Sequence, residues 1–153
     1  MMKLCSEVLR RYGGRTIATA ESCTGGGIGA ALTAVPGSSS VYKGGIISYT
    51  NWVKEHILGV DGALLEELGA VSGPVAQAMA DGARLLLQVD TAVSVTGLAG
   101  PGGDEFGNPV GTVFIGASNP RSSMAREYHF SGSRDAVRLQ AVRTALELLL
   151  EIS

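Results

Sequence analysis

The feature that most constrains the fold of this sequence is a repeated alternation of short apolar segments with segments of helical spacing. Residues 15–20 (RTIATA) are typical of a buried strand, and residues 28–35 follow with helical spacing. Residues 41–49 predict a second strand, and residues 52–58 predict a short helix capped by Asn51. Strands that alternate with helices form sheets with parallel strands and helices packed on the faces.

The remaining segments extend this pattern and add an antiparallel part. We predict a first helix over residues 3–12, a long helix from a cap at Ser72 to Leu87, a strand over residues 91–96, a hairpin of residues 112–117 and 124–130, and a last helix over residues 135–150. The long helix is expected to bury Val75, Met79, Ala83, Leu86 and Leu87. The last helix is expected to bury Leu139, Val142, Leu146 and Leu149 and to expose Arg138, Arg143 and Glu147. The predicted fold is a three-layer α/β/α single domain over residues 1–153, with a mixed, mostly parallel sheet.

Composition and charge disfavour several classes of function. The net charge is -2, from 12 Lys+Arg against 14 Asp+Glu, and no basic run indicates a nucleic-acid or membrane surface. No apolar run reaches the length of a membrane span, and the first residues lack a signal-peptide pattern, so we expect a cytoplasmic protein. Two cysteines and two histidines are too few for a structural zinc cluster, so no metal is expected. The low charged fraction, 17%, favours a homo-oligomer.

Glycine clusters mark a candidate site. The chain has 22 glycines, and many of them fall within residues 22–29 and 97–111, after the first and third predicted strands. Ligands of open α/β sheets bind beyond the carboxyl ends of the strands. The candidate residues at the ends of the first three predicted strands are Ser22, Thr24, Gly25, Gly26, Tyr49, Lys54, Thr96, Gly100, Gly102 and Gly103.

Ser22 and Lys54 are the candidates for chemistry. Ser22 stands where a strand turns into a helix, which suits either a nucleophile beside backbone N–H groups or a simple helix cap. Lys54 is one of only three lysines, and a buried lysine at a helix start can act as a base, although a solvated lysine is the alternative. Cys23 is either a rival nucleophile or a small buried residue, and Tyr49 is either an orienting partner or a core aromatic.

A nucleotide-binding pattern is only partly present. Residues 25–30 (GGGIGA) match the relaxed dinucleotide fingerprint, but no acidic residue occurs between Glu21 and Glu55 to hold a ribose. Glycine-rich turns can still accept a single phosphate, and Arg134 at the start of the last helix is the candidate partner.

Several ordered motifs resemble the CinA C-terminal domain family. They are AESCTGG at residues 20–26, VPGSS at 35–39, YTNWVK at 49–54, LGV at 58–60, GAVS at 69–72, VTGLAGPGG at 95–103 and PVGTV at 109–113. Members of the PncC type hydrolyse nicotinamide mononucleotide to nicotinate mononucleotide and ammonia. The resemblance therefore implies a cofactor-free amidase of a small nucleotide, with Ser22 as nucleophile, Lys54 as base, and Tyr49 and Thr96 in support.

Two departures from the family pattern leave alternatives open. The family's F-x-G-D-R stands as FSGSR at residues 130–134, with Ser133 in place of the acid, and Trp52 replaces a residue that is often small or acidic. The alternatives are a catalytically silent module that binds a phosphate or nucleotide, and an amidase for another small carboxamide.

Overall fold

A computed structural model describes all residues, 1–153, and contains six helices and five strands. The helices are α1 (Met2–Arg11), α2 (Gly27–Thr33), α3 (Asn51–His56), α4 (Gly62–Leu68), α5 (Gly73–Leu87) and α6 (Arg134–Glu151). The strands are β1 (Ile17–Glu21), β2 (Tyr42–Ile47), β3 (Thr91–Gly97), β4 (Thr112–Ser118) and β5 (Ser123–His129). A single 3₁₀ turn at Ser38–Ser40 precedes β2.

The strands form one open sheet in the order β2-β1-β3-β4-β5. β1 pairs in parallel with both β2 and β3, whereas β4 pairs antiparallel with both β3 and β5. β4 is thus the strand that runs opposite to the others, which confirms the predicted mixed sheet. The parallel strands need helical crossovers, and those crossovers cover the faces of the sheet.

The sheet separates two apolar cores. On one face, Ile17, Val93 and Ile115 pack with residues of α1, α2 and α6. On the other face, the small side chains of β1 and β3 pack against α5 and the segment around α4. Because those side chains are small, α5 approaches closely enough for its Ala76 carbonyl to accept a hydrogen bond from the Ser94 hydroxyl at 2.5 Å. The predicted three-layer α/β/α arrangement is confirmed.

Four details differ from the sequence expectations. Thr50, not Asn51, caps α3 through its side chain, and α4, capped by Asp61, was not predicted. Leu86 and Leu139 were expected to be buried, but they are 53% and 59% exposed. The buried face of α6 instead includes small residues, Ala141 and Ala145, which a search for large apolar side chains passes over.

None of the helices combines the length and the apolar character that a membrane crossing requires.

Candidate active site

The carboxyl ends of the three parallel strands meet around one cavity. Ser22 directly follows β1, Thr96 lies near the end of β3, and Lys54 lies on α3 just after β2. These residues line a cavity of about 320 Å³ together with Cys23, Tyr49, Asn51, Ala70, Val71, Gly97, Leu98, Ala99, Gly100, Gly102 and Arg134. The sheet topology explains the meeting, because parallel neighbours end at the same edge.

Ser22 and Lys54 form a buried pair in this cavity. Lys54 Nζ lies 3.0 Å from Ser22 Oγ, and the two residues are 1% and 7% exposed. Lys54 Nζ also lies 2.8 Å from the carbonyl oxygen of Ser48 and 3.5 Å from that of Tyr49. No carboxylate forms an ion pair with the ammonium group.

Burial makes the neutral form of Lys54 more accessible than it is in an exposed lysine. Burial lowers the pKa of Lys54 from 10.5 to about 8, because the charged amine loses its hydration. A neutral amine has two N–H donors and one lone pair. The carbonyl groups of Ser48 and Tyr49 can accept the two N–H bonds, which leaves the lone pair for the hydroxyl proton of Ser22. This geometry suits a general base beside a nucleophile.

Glu21 anchors the loop that follows Ser22. It is 2% exposed, and its carboxylate accepts hydrogen bonds from the Thr24 hydroxyl at 2.8 Å and from the N–H groups of Ile28 and Gly29 at 2.8 and 3.0 Å. The carboxylate thus caps the start of α2 and satisfies its free N–H groups. This role of Glu21 was not predicted, because Glu21 directly follows the first predicted strand and lies seven residues before the predicted helix at residues 28–35.

Arg138 holds the same loop from α6. Its Nε donates to the Cys23 carbonyl at 3.0 Å, and its Nη2 donates to the Thr24 carbonyl at 3.2 Å. The expectation that Arg138 faces solvent was therefore wrong. The side chain lies one helical turn beyond Arg134 on the same helix, and helical neighbours at this spacing share a face.

Only some of the other loop residues that were predicted from the sequence line the cavity. Gly100 and Gly102 line the cavity, whereas Thr24, Gly25, Gly26 and Gly103 are not part of its wall. Gly25 and Gly26 have φ of 58° and 99°, a backbone conformation that side chains disfavour. The Gly25 N–H donates to the Ser22 carbonyl at 3.0 Å, which closes a tight turn directly after Ser22.

Arg134 and Tyr49 lie together at the mouth of the cavity. Arg134 Nη1 donates to the Gly100 carbonyl at 2.6 Å, and Nη2 lies 3.4 Å from the Tyr49 hydroxyl. Tyr49 is 58% exposed, so it is not a core aromatic. Ser133 caps α6 by accepting a hydrogen bond from the Ala136 N–H at 3.2 Å. A helix cap is also a usual role of Asp, so this departure from the family motif preserves the cap.

Thr96 supports the wall of the cavity. Its side chain is buried, and its hydroxyl donates to the Ala70 carbonyl at 2.8 Å. This bond fixes the segment before α5 against the end of β3. In this arrangement the Thr96 hydroxyl forms its hydrogen bond with the protein backbone and not with Ser22 or Lys54.

Cys23 is poorly suited to be the nucleophile. Burial raises the pKa of its thiol to about 11, so the thiolate is scarce near neutral pH. No group of three or more His, Cys, Asp or Glu side chains is arranged to hold a metal ion. Among the side chains of the cavity, Ser22 and Lys54 are therefore the pair equipped for nucleophilic chemistry.

A larger cavity of about 660 Å³ adjoins this one. The two share Asn51, Ala70, Val71 and Leu98. The wall of the larger cavity combines the aromatic side chains of Trp52 and Phe106 with the carboxylates of Glu55, Glu66, Asp104 and Glu105. Because it contains no nucleophile paired with a base, we assign the chemistry to the smaller cavity.

The fold and the buried pair define an α/β domain with a Ser–Lys pair at the carboxyl edge of a mixed sheet. The CinA C-terminal domain matches residues 1–153, which are the whole chain. The chain belongs to this family.

Two similar sequences agree with this assignment. A CinA-like protein of Parasynechococcus marenigrum is 50% identical over 143 residues, which cover 92% of this chain and 34% of the relative. A CinA-like protein of Geobacter metallireducens is 48% identical over 141 residues, with the same two coverages. The chain thus spans about a third of the length of these relatives.

Solved structures share the fold over almost the whole chain. A competence-damaged protein (CinA) superfamily protein from Escherichia coli has a TM-score of 0.97 at 36% identity, covering 99% of this chain and 90% of that one. The competence/damage inducible protein CihA from Agrobacterium tumefaciens has a TM-score of 0.95 at 39% identity, with coverages of 99% and 94%.

Proposed function

We propose that this protein is an amidase that hydrolyses nicotinamide mononucleotide to nicotinate mononucleotide and ammonia. The observation that carries the proposal is the 3.0 Å approach of Lys54 Nζ to Ser22 Oγ, two buried side chains that line the cavity. The substrate comes from the resemblance of the chain to PncC-type members of its family. The pair itself supports attack of a serine on an activated carbonyl, which is the chemistry that an amidase needs.

The first half of the reaction forms an acyl-enzyme. Neutral Lys54 accepts the Ser22 proton while Ser22 Oγ attacks the carboxamide carbon. The carbonyl oxygen becomes an oxyanion, which backbone N–H groups of the loop after Ser22 stabilise. Lys54 then donates its proton to the leaving nitrogen, the C–N bond breaks, and ammonia departs.

Water completes the reaction on the same groups. Lys54, again neutral, accepts a proton from water as its oxygen attacks the ester carbon. The tetrahedral intermediate collapses, the bond to Ser22 Oγ breaks, and Lys54 returns the proton to Ser22. The product forms as the carboxylic acid and gives its proton to ammonia or water to become the carboxylate, and no step calls for a redox change.

The mouth of the cavity suits the phosphate end of the nucleotide. Arg134 presents a guanidinium next to the Tyr49 hydroxyl and near Gly100 and Gly102, which line the cavity. Guanidinium groups bind phosphates through paired N–H donors. We expect the phosphate at Arg134 and the carboxamide at Ser22.

The test is ammonia release from nicotinamide mononucleotide by the wild type, Ser22→Ala and Cys23→Ala. We expect Ser22→Ala to lower kcat by about 10³-fold or more, because it removes the attacking atom. Cys23→Ala is the matched control and should retain most of the activity. Full activity in Ser22→Ala would overturn the mechanism, and an inactive wild type would overturn the substrate.

Calorimetry with nicotinamide mononucleotide distinguishes the silent binding module. A binder gives saturable heat without continuing turnover, whereas an amidase gives heat for as long as substrate lasts. A panel of carboxamides that lack the phosphate distinguishes an amidase of other substrates.

A further inference from the structure

The loop after Ser22 is held by one charged side chain from a distant part of the chain. Arg138, on α6, lies more than a hundred residues along the chain from the loop, and it binds two consecutive carbonyls, those of Cys23 and Thr24. Its guanidinium is partly buried, and the two hydrogen bonds are charge-assisted, which makes them stronger than bonds between neutral groups. The reaction proposed above does not use this side chain.

The two bonds fix the orientation of two peptide planes. A trans peptide is planar, so its N–H and its C=O point in opposite directions. When the Cys23 carbonyl points to Arg138, the Thr24 N–H points away from it. Because the Thr24 carbonyl also points to Arg138, the Gly25 N–H points away from Arg138. This N–H donates to the Ser22 carbonyl at 3.0 Å and closes the turn.

The loop separates Arg138 from the catalytic cavity. Ser22 and Cys23 line that cavity, whereas Arg138 does not. The N–H groups of Cys23 and Thr24 donate to no backbone carbonyl, whereas the Gly25 N–H is already used in the turn. Glu21 holds the same loop from the sheet side through the Thr24 hydroxyl.

We propose that Arg138 is a positioning residue, which orients the peptide plane between Cys23 and Thr24 so that the Thr24 N–H is preorganised for the oxyanion, while the next plane closes the turn that holds Cys23 beside Ser22. The proposal rests on the proposed amidase function. Preorganised donors act mainly on the transition state, since the negative charge develops only there. The positive guanidinium also polarises the two peptides, which strengthens their N–H groups as donors.

The test compares Arg138→Met and Arg138→Lys with Arg143→Met. Arg143 lies on the same helix, is exposed and forms no hydrogen bond through its side chain, so it controls for the loss of a cation from α6. Lysine keeps the charge of Arg138 but does not match two carbonyls with a planar fork. If Arg138→Met folds poorly, Arg138→Lys provides the same comparison.

Three measurements are made on each variant. The first is kcat and KM for ammonia release from nicotinamide mononucleotide. The second is the rate at which a fluorophosphonate labels Ser22, which needs the nucleophile and the oxyanion donors but not the natural substrate. The third is amide hydrogen exchange in a peptide that covers residues 22–29, which reports the order of the loop.

We expect Arg138→Met to lower kcat and the labelling rate by about 10–100-fold, with KM changed less than about threefold, because one oxyanion donor is worth about 10²–10³ in kcat. Hydrogen exchange over residues 22–29 should become faster. Arg138→Lys should lie between Arg138→Met and the wild type, and Arg143→Met should match the wild type.

The outcomes separate this proposal from the proposed function. If the wild type is labelled but releases no ammonia, the substrate is wrong, while slower labelling of Arg138→Met still supports the role of Arg138. Unchanged hydrogen exchange, or a change in KM alone, would overturn that role even in an active amidase. A wild type that is neither labelled nor active would overturn both.

Discussion

The parallel and antiparallel halves of the sheet use their strand ends in different ways. The strands β2, β1 and β3 end at one edge of the sheet. Lys54 lies in the segment after β2, Ser22 directly follows β1, and the loop after Thr96 follows β3. β4 and β5 are joined instead by a tight turn, in which the Asn119 side chain accepts hydrogen bonds from the N–H groups of Arg121 and Ser122. A hairpin turn needs only a few residues, whereas parallel connections supply long loops on which a site can be built.

The two halves also differ in what they bury. Glu21 and Lys54 are the buried charged side chains of the molecule, and both lie in the parallel half. In the antiparallel half, β4 buries Val113, Ile115 and Ala117 and packs closely on α5. The comparison indicates that the Ser–Lys pair belongs to the parallel half, whereas β4 contributes apolar packing.

The largest expected effect is on Lys54, in the parallel half. We expect Lys54→Met to lower kcat for ammonia release by about 10³-fold or more, because methionine has no lone pair basic enough to accept the Ser22 proton. The double variant Ser22→Ala with Lys54→Met should be no slower than either single variant, since the two residues act as a unit. The measurement is kcat of the wild type, the two single variants and the double variant. Losses that add in the double variant would show that the two residues do not act as a unit.

An intermediate effect is expected from Gly116 of β4, in the antiparallel half. A Cβ there would lie 2.4 Å from the Ala76 carbonyl oxygen and 2.6 Å from Ser94 Oγ, so α5 would have to move. We expect Gly116→Ala to lower the free energy of unfolding by about 1–3 kcal/mol in urea titration, as overpacking does, with kcat nearly unchanged.

Gly102 is the matched control for that substitution. It lines the catalytic cavity, and a Cβ there would meet no atom within 4 Å. Gly102→Ala should therefore leave the free energy of unfolding within about 0.5 kcal/mol of the wild type. A stable Gly116→Ala that has lost its activity would contradict the division of roles between the two halves.

The smallest expected effect is the pH dependence of stability that Lys54 causes. Its pKa is about 8 in the folded protein and 10.5 ordinarily, so the unfolded chain binds more protons between these values. Stability therefore rises with pH in this range, and from pH 8 to 9 the gain is about 1 kcal/mol. Below pH 8 the cost of burying the amine is fully present.

The measurement is the difference in free energy of unfolding between the wild type and Lys54→Met at pH 8 and pH 9. This window is chosen because burial raises the pKa of Cys23 to about 11, and above pH 9 that thiol makes stability fall with pH. A parallel pH dependence in the two proteins would show that Lys54 is not buried as an amine of low pKa.

The fold and the central pair followed from local patterns. Strand and helix periodicity predicted the three layers, and the rule that parallel strands end at one edge brought Ser22 and Lys54 together. Both arguments need only neighbouring residues and one general rule of topology.

The contacts that were missed depend on distant parts of the chain. Arg138 was expected to face solvent because helical periodicity placed it outside the apolar face of the last helix. Periodicity contains no information about the two carbonyls that the loop after Ser22 brings to Arg138. Leu139 was expected to be buried because it is large and apolar, but the close packing of α6 selects Ala141 and Ala145. Packing between elements decides such positions, and periodicity does not contain that information.

The protonated thiol of Cys23 has a consequence for the chemical resistance of the site. Oxidants and alkylating reagents attack thiolates, and burial both hides this sulfur and holds its pKa near 11. A cysteine next to the nucleophile would ordinarily expose an enzyme to inactivation by peroxide. Because burial keeps the thiol next to Ser22 protonated, we expect peroxide to react with Cys23 more slowly than with an exposed cysteine.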